Sequence, residues 1–335
     1  MADGSKGAVE RGYVYRPDLV PDDFPAAEIF GYPPEADTEA AREARAQCIC
    51  PFKGGACTKL LSAARTGVCS VRYKAAGFES SVIWATCANR LKGPPFREAL
   101  ERHFGSEVDK AELVTEVRLK DPDMSFDGVG ILVADDESVD FIGIEAQTID
   151  TRGGSILPIF EAYVEGAPDR WKERYPSRPT FGVNTANVWK RLIPQVMNKG
   201  RMFVDWESQL FVILQDSLFQ FIRRRMPLKQ LPRQERDHAE IIWLPWDYTG
   251  EIDAETGLRR TEIGDPIFTT LKQVEEAFVT IHAAQRPAFI ATVTAKLGKD
   301  DRKADAVRQK AARAAKDAQE QLERDAELPD SEIEP

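Results

Sequence analysis

The sequence predicts a mixed α/β fold of the α+β kind: one mixed sheet flanked by helices, preceded by a small cysteine-bearing module. Three observations predict it. Short apolar runs of strand length, QLFVILQ (209–215) and EIIWLPWDY (240–248), alternate with stretches of helical period, as buried strands and their covering helices do. Two segments rich in Val, Ile and Phe flank the acidic turn Asp135-Asp136-Glu137, which is a hairpin pattern. All five cysteines lie between Cys48 and Cys87, where regular apolar periodicity is scarce.

The elements follow in order. Residues 1–24 are polar and Pro-containing, a lead-in. Residues 25–93 hold the cysteines and form the expected metal-organised module. Residues 94–295 form the expected main domain. It opens on PPFREALERHFG (94–105), a helix with Pro near its start and Gly after its end. AELVTEVRL reads equally as helix or strand. SFDGVGILVA (125–134) and SVDFIGIEAQTI (138–149) are the two arms of the hairpin. Helices are predicted over 155–165 and 185–199, the second capped by Asn184 or Thr185. Strand 209–215, a helix in SLFQFIRRRM, strand 240–248, a turn-rich excursion (250–265) and a helix near 270–282 complete the domain. From residue 296 the chain is almost purely Ala, Gln and charge, which predicts a solvated helix fraying into an acidic tail.

Composition bounds the function. With 335 residues, 42% hydrophobic and 30% charged, the chain can bury a sizeable core. No apolar run approaches the roughly 20 residues of a membrane-spanning helix, and the start MADGSKGAVERGYVYRPD lacks an apolar signal region. Cytoplasmic residence, with no membrane partner, is the expectation. No GxxxxGK[ST] motif is present, which disfavours nucleotide hydrolysis at a P-loop. The net charge of −10 argues against indiscriminate nucleic-acid binding. Yet between Arg170 and Arg201 eight basic residues face one acid, Glu173. A local positive surface on an acidic body suits an enzyme acting on DNA, although a solvated charged surface has the same composition.

The hairpin carries the chemistry. Asp127 and Glu145 are equidistant in sequence from Asp136. In a regular antiparallel hairpin such residues are opposed, with Cβ atoms about 4.5–5.5 Å apart. Opposed acids repel, so something must compensate them, and a divalent cation bridging both is the natural candidate. Gln147 lies two residues beyond Glu145, on the same strand face. Acid, turn, then acid-x-polar is the arrangement of the PD-(D/E)xK nuclease core, with Gln147 where that pattern usually has lysine. The metal there activates water and neutralises the attacked phosphate; Gln147 can orient water but carries no charge.

Cys50, Cys57, Cys69 and Cys87 are spaced C-x6-C-x11-C-x17-C, with Cys48 two residues ahead. Four thiolates bind zinc or iron tetrahedrally and leave no open position, so such a metal would be structural. Buried reduced thiols are the plainer reading. His103, His238 and His282 are scattered without a partner motif, and Trp243 and Trp246 lie in an apolar strand; structural roles are expected for all five.

These residues lead to a family. AAEIFGY (26–32), CPF (50–52), Cys57-Thr-Lys, GVCSV (67–71) and CANRL (87–91) resemble the N-terminal part of the NotI-type restriction endonucleases. SFD (125–127), GIEAQTID (143–150) and NTANVWKRLIPQ (184–195) resemble that family's catalytic stretch in the same order. The resemblance covers roughly residues 25–225. It implies a PD-(D/E)xK core in a homodimeric, magnesium-dependent endonuclease that recognises a long GC-rich palindrome in double-stranded DNA. It implies Asp127, Glu145 and Gln147 as the active-site set, with Mg²⁺ on the two acids. It also implies Cys50, Cys57, Cys69 and Cys87 as ligands of a structural metal, iron favoured over zinc, with Cys48 an alternative to Cys50. Asn187, Lys190, Arg191 and Gln195 share one face of the helix after the hairpin. They are the candidate DNA-binding residues, and Lys190 or Arg191 is the candidate source of the charge that Gln147 lacks. The competing expectation is a tetracysteine metalloprotein that binds DNA without cutting it.

Overall fold

The computed structural model describes residues 14–61, 64–75, 77–151, 156–174, 182–279 and 286–297, together with isolated residues 309, 312–313 and 316. The chain to Val279 is one compact unit and the chain from Thr280 a second. Of the second, the described element is helix Arg286–Leu297.

The first unit begins with strand β1 (Ala26–Ile29) and helix α1 (Glu39–Ala46). Two short antiparallel pairs follow, β2 (Ile49–Cys50) with β3 (Gly55–Ala56) and β4 (Leu60–Leu61) with β5 (Ala64–Arg65). β6 (Val68–Tyr73) then lies between β1 and β7 (Val82–Ala85) in an antiparallel sheet of three strands. The cysteine-bearing segment thus holds more regular structure than its sequence suggests. All four residues of β1 are buried, so the strand never shows the alternation that sequence reading relies on.

Helix α2 (Pro94–Phe104) starts on proline and buries Phe96, Ala99, Leu100 and Phe104 along one face. β8 (Glu112–Lys120), β9 (Asp123–Val133) and β10 (Val139–Gln147) form an antiparallel meander. The ambiguous AELVTEVRL is therefore a strand, its period of two set by pairing with β9. Helices α3 (Ile156–Val164) and α4 (Thr185–Asp205) cross over to β11 (Gln209–Gln215), which runs parallel to β10. Helix α5 (Asp216–Arg223) leads to β12 (Ile241–Ile252), parallel to β11. β13 (Arg259–Ile263) and β14 (Ile267–Thr269) both pair antiparallel with β12, and α6 (Leu271–Val279) closes the unit. The result is a seven-stranded mixed sheet, β13-β12-β11-β10-β9-β8, with β14 beside β12. The turn-rich excursion expected at 250–265 is the turn at 253–258 together with the end of β12 and the arm β13 that it joins.

Two close approaches fix α4 against this sheet. A Cβ on Gly143 of β10 would lie 2.2 Å from the Phe203 ring, and one on Gly200 would lie 2.8 Å from Ile241. Both positions need glycine for the helix to sit so near the strands.

A buried polar seam joins the three-stranded sheet to the large one. Glu28 is fully buried; its carboxylate accepts from Ser70 Oγ (2.8 Å), Tyr248 Oη (2.9 Å) and Arg90 Nε (3.2 Å). Arg90 also donates to the carbonyl of Arg259 (2.6 Å) and stacks on Phe52 and Tyr248. Gln215, at the end of β11, donates to Ile83 O and accepts from Ala85 N, both on β7. Such a network holds only while every member has its partner. Arg90→Ala leaves the Glu28 charge buried and should cost about 3–5 kcal/mol, read from urea unfolding; a loss under about 1 kcal/mol would mean the seam contributes no more than a surface ion pair.

Candidate active site

The hairpin sets the position of the two acids. β9 and β10 pair in unbroken register from Val133↔Val139 to Gly128↔Ile144, which centres the connection on Asp136 and brings Asp127 and Glu145 to the next step. There the backbone pairing stops and a side chain takes over. Asp127 Oδ2 accepts the N–H of Ala146 at 2.8 Å, a charge-assisted contact that fixes the carboxylate. β10 continues beside β11, with Glu145 opposite Val212 and Gln147 opposite Leu214.

Glu145 is 5% exposed. Burial first, and the neighbouring Asp127 carboxylate second, push its carboxyl up to about 7, while Lys199 acts in the opposite direction. Lys199 comes from the C-terminal half of α4 and is as buried as Glu145; its Nζ donates to Glu145 Oε2. The same ammonium lies 5.4 Å from the ring centre of Phe126. Part of the compensation that two opposed acids require is therefore supplied by the chain itself, through Lys199 and the Ala146 N–H. Gln147 is also buried, and its amide nitrogen donates to Thr148 O at 2.6 Å.

Adjacent carboxylates of this kind are the donors Mg²⁺ takes together with waters and substrate phosphate. Among the described residues no group of three or more His, Cys, Asp or Glu side chains could hold a metal ion. A site of two acids completed by water and phosphate does not need one.

Helix α4 carries the other predicted residues. Asn184 caps it, its side chain accepting from Asn187 N. Asn187 Nδ2 donates to Asp150 Oδ2 at 2.6 Å and Arg191 Nη1 donates to the same oxygen at 2.9 Å. Asp150 lies three residues past Gln147, so both side chains are directed onto the end of the catalytic-strand candidate. Lys190 is exposed and Gln195 half-buried. The family model for restriction endonuclease NotI matches residues 36–257, about two-thirds of the chain, a range that contains the acids, α4 and the cysteines.

The chain belongs to the NotI restriction endonuclease family.

Membership in a family of restriction endonucleases implies site-specific cleavage of DNA. No curated protein matches the chain. No helix among the described residues is long and apolar enough to cross a membrane.

The cations between Arg170 and Arg201 do not form one bare positive face. Arg170 pairs with Glu173, Arg174 with Glu165, Lys172 with Asp23, Arg191 with Asp150, Lys199 with Glu145 and Arg201 with Glu275. Five of these six pairs are at least partly exposed, and exposed pairs are weak enough for a phosphate to compete with them; Arg178 lies outside the described residues. His103 sits between Asp140 (3.0 Å) and Gln209 (2.8 Å), and Trp243 and Trp246 are core residues. His282 lies outside the described residues.

The cysteines are brought near one another without forming a cage. Cys50, Cys57 and Cys69 are buried and Cys87 half-buried. Cys87 acts electrostatically on each of the other three, and burial pushes those three thiols up, Cys69 furthest. No three of the four converge on a shared ligand position among the described residues, so the expected tetracysteine centre is not assembled there. Cys48 directs its sulfur to the Arg45 carbonyl at 3.9 Å.

Sequence reading of this NotI-family chain missed Lys199. The signal was available: Val188, Leu192, Val196, Lys199 and Phe203 make one stripe at spacings of four, four, three and four, and the stripe is buried. A lysine inside a core-facing stripe needs an acid opposite it.

Glu145 holds its proton more tightly in the folded chain, near 7, than in the unfolded chain, near 4.5. Its stability contribution is therefore complete below about pH 4.5 and is lost as pH rises through about 7. Urea titrations should show the wild type losing stability relative to Glu145→Gln across that window. A constant difference between the two would mean that Glu145 titrates as an ordinary exposed acid.

Proposed function

We propose that this chain is a magnesium-dependent endonuclease that cuts both strands of double-stranded DNA at a specific site, working as a homodimer with one active site per subunit. The observation that carries the reading is the adjacency of Asp127 and Glu145 at the inner end of the β9–β10 hairpin, inside the family-matched region. A Mg²⁺ ion held by these two carboxylates would lower the pKa of water and offset charge on the attacked phosphate. Asp127 is held for this by the Ala146 N–H, and Glu145 by Lys199. Gln147, on the same strand face, is the candidate to orient the attacking water. In-line attack on phosphorus with departure of the 3′ oxygen leaves a 5′-phosphate. Asn187, Lys190, Arg191 and Gln195 are the candidate DNA contacts, with a GC-rich palindrome as the target class. Asn187 and Arg191 would meet DNA from their present contact with Asp150.

Plasmid incubated with the protein and Mg²⁺ tests the reading, and sequencing the cut ends reports target and geometry together. Asp127→Ala and Glu145→Ala should each lower single-turnover cleavage on the order of a thousandfold, the effect of several kcal/mol of lost stabilisation. His103→Ala should cut as the wild type does. Binding of DNA without any cutting in Mg²⁺ would instead favour a non-cleaving DNA-binding protein.

The structural metal at the cysteines, iron in preference to zinc, is a separate part of the proposal. It rests on the family resemblance and on the electrostatic range shared by Cys50, Cys57, Cys69 and Cys87. Elemental analysis of the purified protein should find about one iron or zinc per chain, lost in Cys69→Ser; a metal-free preparation that melts cooperatively and cuts DNA would remove it.

A further inference from the structure

We propose that Lys199 takes the place of the lysine that Gln147 replaces, serving as a positioning residue that fixes the Glu145 carboxylate and sets a positive charge beside the paired acids. The inference deepens the nuclease reading and rests on it.

The geometry carries the argument. The acid-x-polar arrangement puts a neutral amide at position 147, so the two strands bring two negative charges to the site and no positive one. Lys199 reaches the same carboxylate from a different element. Its ammonium donates to Glu145 Oε2, and it lies over the ring of Phe126, the residue just before Asp127. It therefore sits between the Glu145 carboxylate and the ring of the residue that precedes Asp127.

The placement is rigid. Lys199 lies on a 21-residue helix, and the close approaches Gly200–Ile241 and Gly143–Phe203 follow it within the next turn. A group that must hold an active-site atom within a fraction of an ångström is best carried by such an element. Burial also argues for a role beyond packing. A buried ion pair is often no more stabilising than an apolar pair of similar volume, so stability alone gives little reason for lysine in an apolar stripe.

The other cations are differently engaged. Arg191 acts on Glu145 only at long range, its guanidinium being bonded to Asp150. Lys190, the other expected source of charge, is exposed. Lys59 is bonded to Val68 O and to both oxygens of Thr86.

Moving the lysine tests the proposal. Single-turnover cleavage in Mg²⁺, DNA affinity in Ca²⁺ and thermal melting are measured for wild type, Lys199→Met and the double variant Lys199→Met/Gln147→Lys. Lys199→Met should cut on the order of a hundredfold more slowly, the upper end of the range for losing a supporting partner of a metal ligand, while still melting cooperatively and binding DNA in Ca²⁺. The double variant, with lysine returned to the strand, should recover at least about tenfold of that loss. A packing role would not be restored from position 147. Should Lys199→Met fail to fold, Lys199→Gln and Lys199→Gln/Gln147→Lys give the same comparison with polar groups at both positions. The proposal is overturned if the single variant cuts at the wild-type rate, or if the double variant is no faster than the single. A wild type that does not cut DNA at all overturns the nuclease reading itself, an outcome distinct from active wild type with active Lys199→Met.

Discussion

Two carboxylates held side by side in a buried corner repel one another, and much of this molecule can be understood as the means of holding them there. The repulsion is met from two directions. A backbone N–H from the adjacent strand takes Asp127. A lysine from the covering helix takes Glu145. What remains is visible in Glu145 itself, whose proton is retained to about pH 7 despite the ammonium beside it. A buried acid left so readily protonated is one whose charge is incompletely satisfied, and a hard cation is the partner that would complete it.

Holding the acids requires the helix, and holding the helix requires the sheet to be bare where they meet. Gly143 makes room for Phe203, and Gly200 lets the helix backbone approach Ile241. Phe203 then packs edge-on to Phe126, so the ring that lies under the Lys199 ammonium is itself wedged by the helix that carries Lys199. Strand, helix and ion pair support one another.

The cysteine-bearing segment belongs to the same construction. Ile149, two residues beyond Gln147, donates its N–H to Ala85 O at 3.0 Å, and Cys87 follows two residues after Ala85. Lys59 binds the carbonyls of Val68 and Thr86, the residues just before Cys69 and Cys87. The strand bearing Glu145 thus runs directly into the segment bearing the thiols, and the buried Glu28–Arg90–Tyr248 seam fastens that segment to the far side of the sheet.

The sequence by itself determined the hairpin, because an acidic turn between two β-branched, aromatic-rich arms leaves one register that opposes Asp127 to Glu145, and the observed pairing has that register up to the adjacent step. It determined β11 and α2 as well, whose apolar runs and end signals are local. The family, too, was legible in short motifs spread between residues 26 and 195. Tertiary structure decided the rest. β8 became a strand through its pairing with β9, and the residues at 259–263 through pairing with β12. Helix α4 ran six residues past its expected end because Gly200 and Phe203 pack on the sheet, where propensity would have stopped it. The charges between 170 and 201 read as a positive face in one dimension and proved mostly paired in three. Lys199 and Glu145 are 54 residues apart; periodicity can show that each is buried, but only folding can make them partners, since what compensates a buried charge is fixed by distance in space.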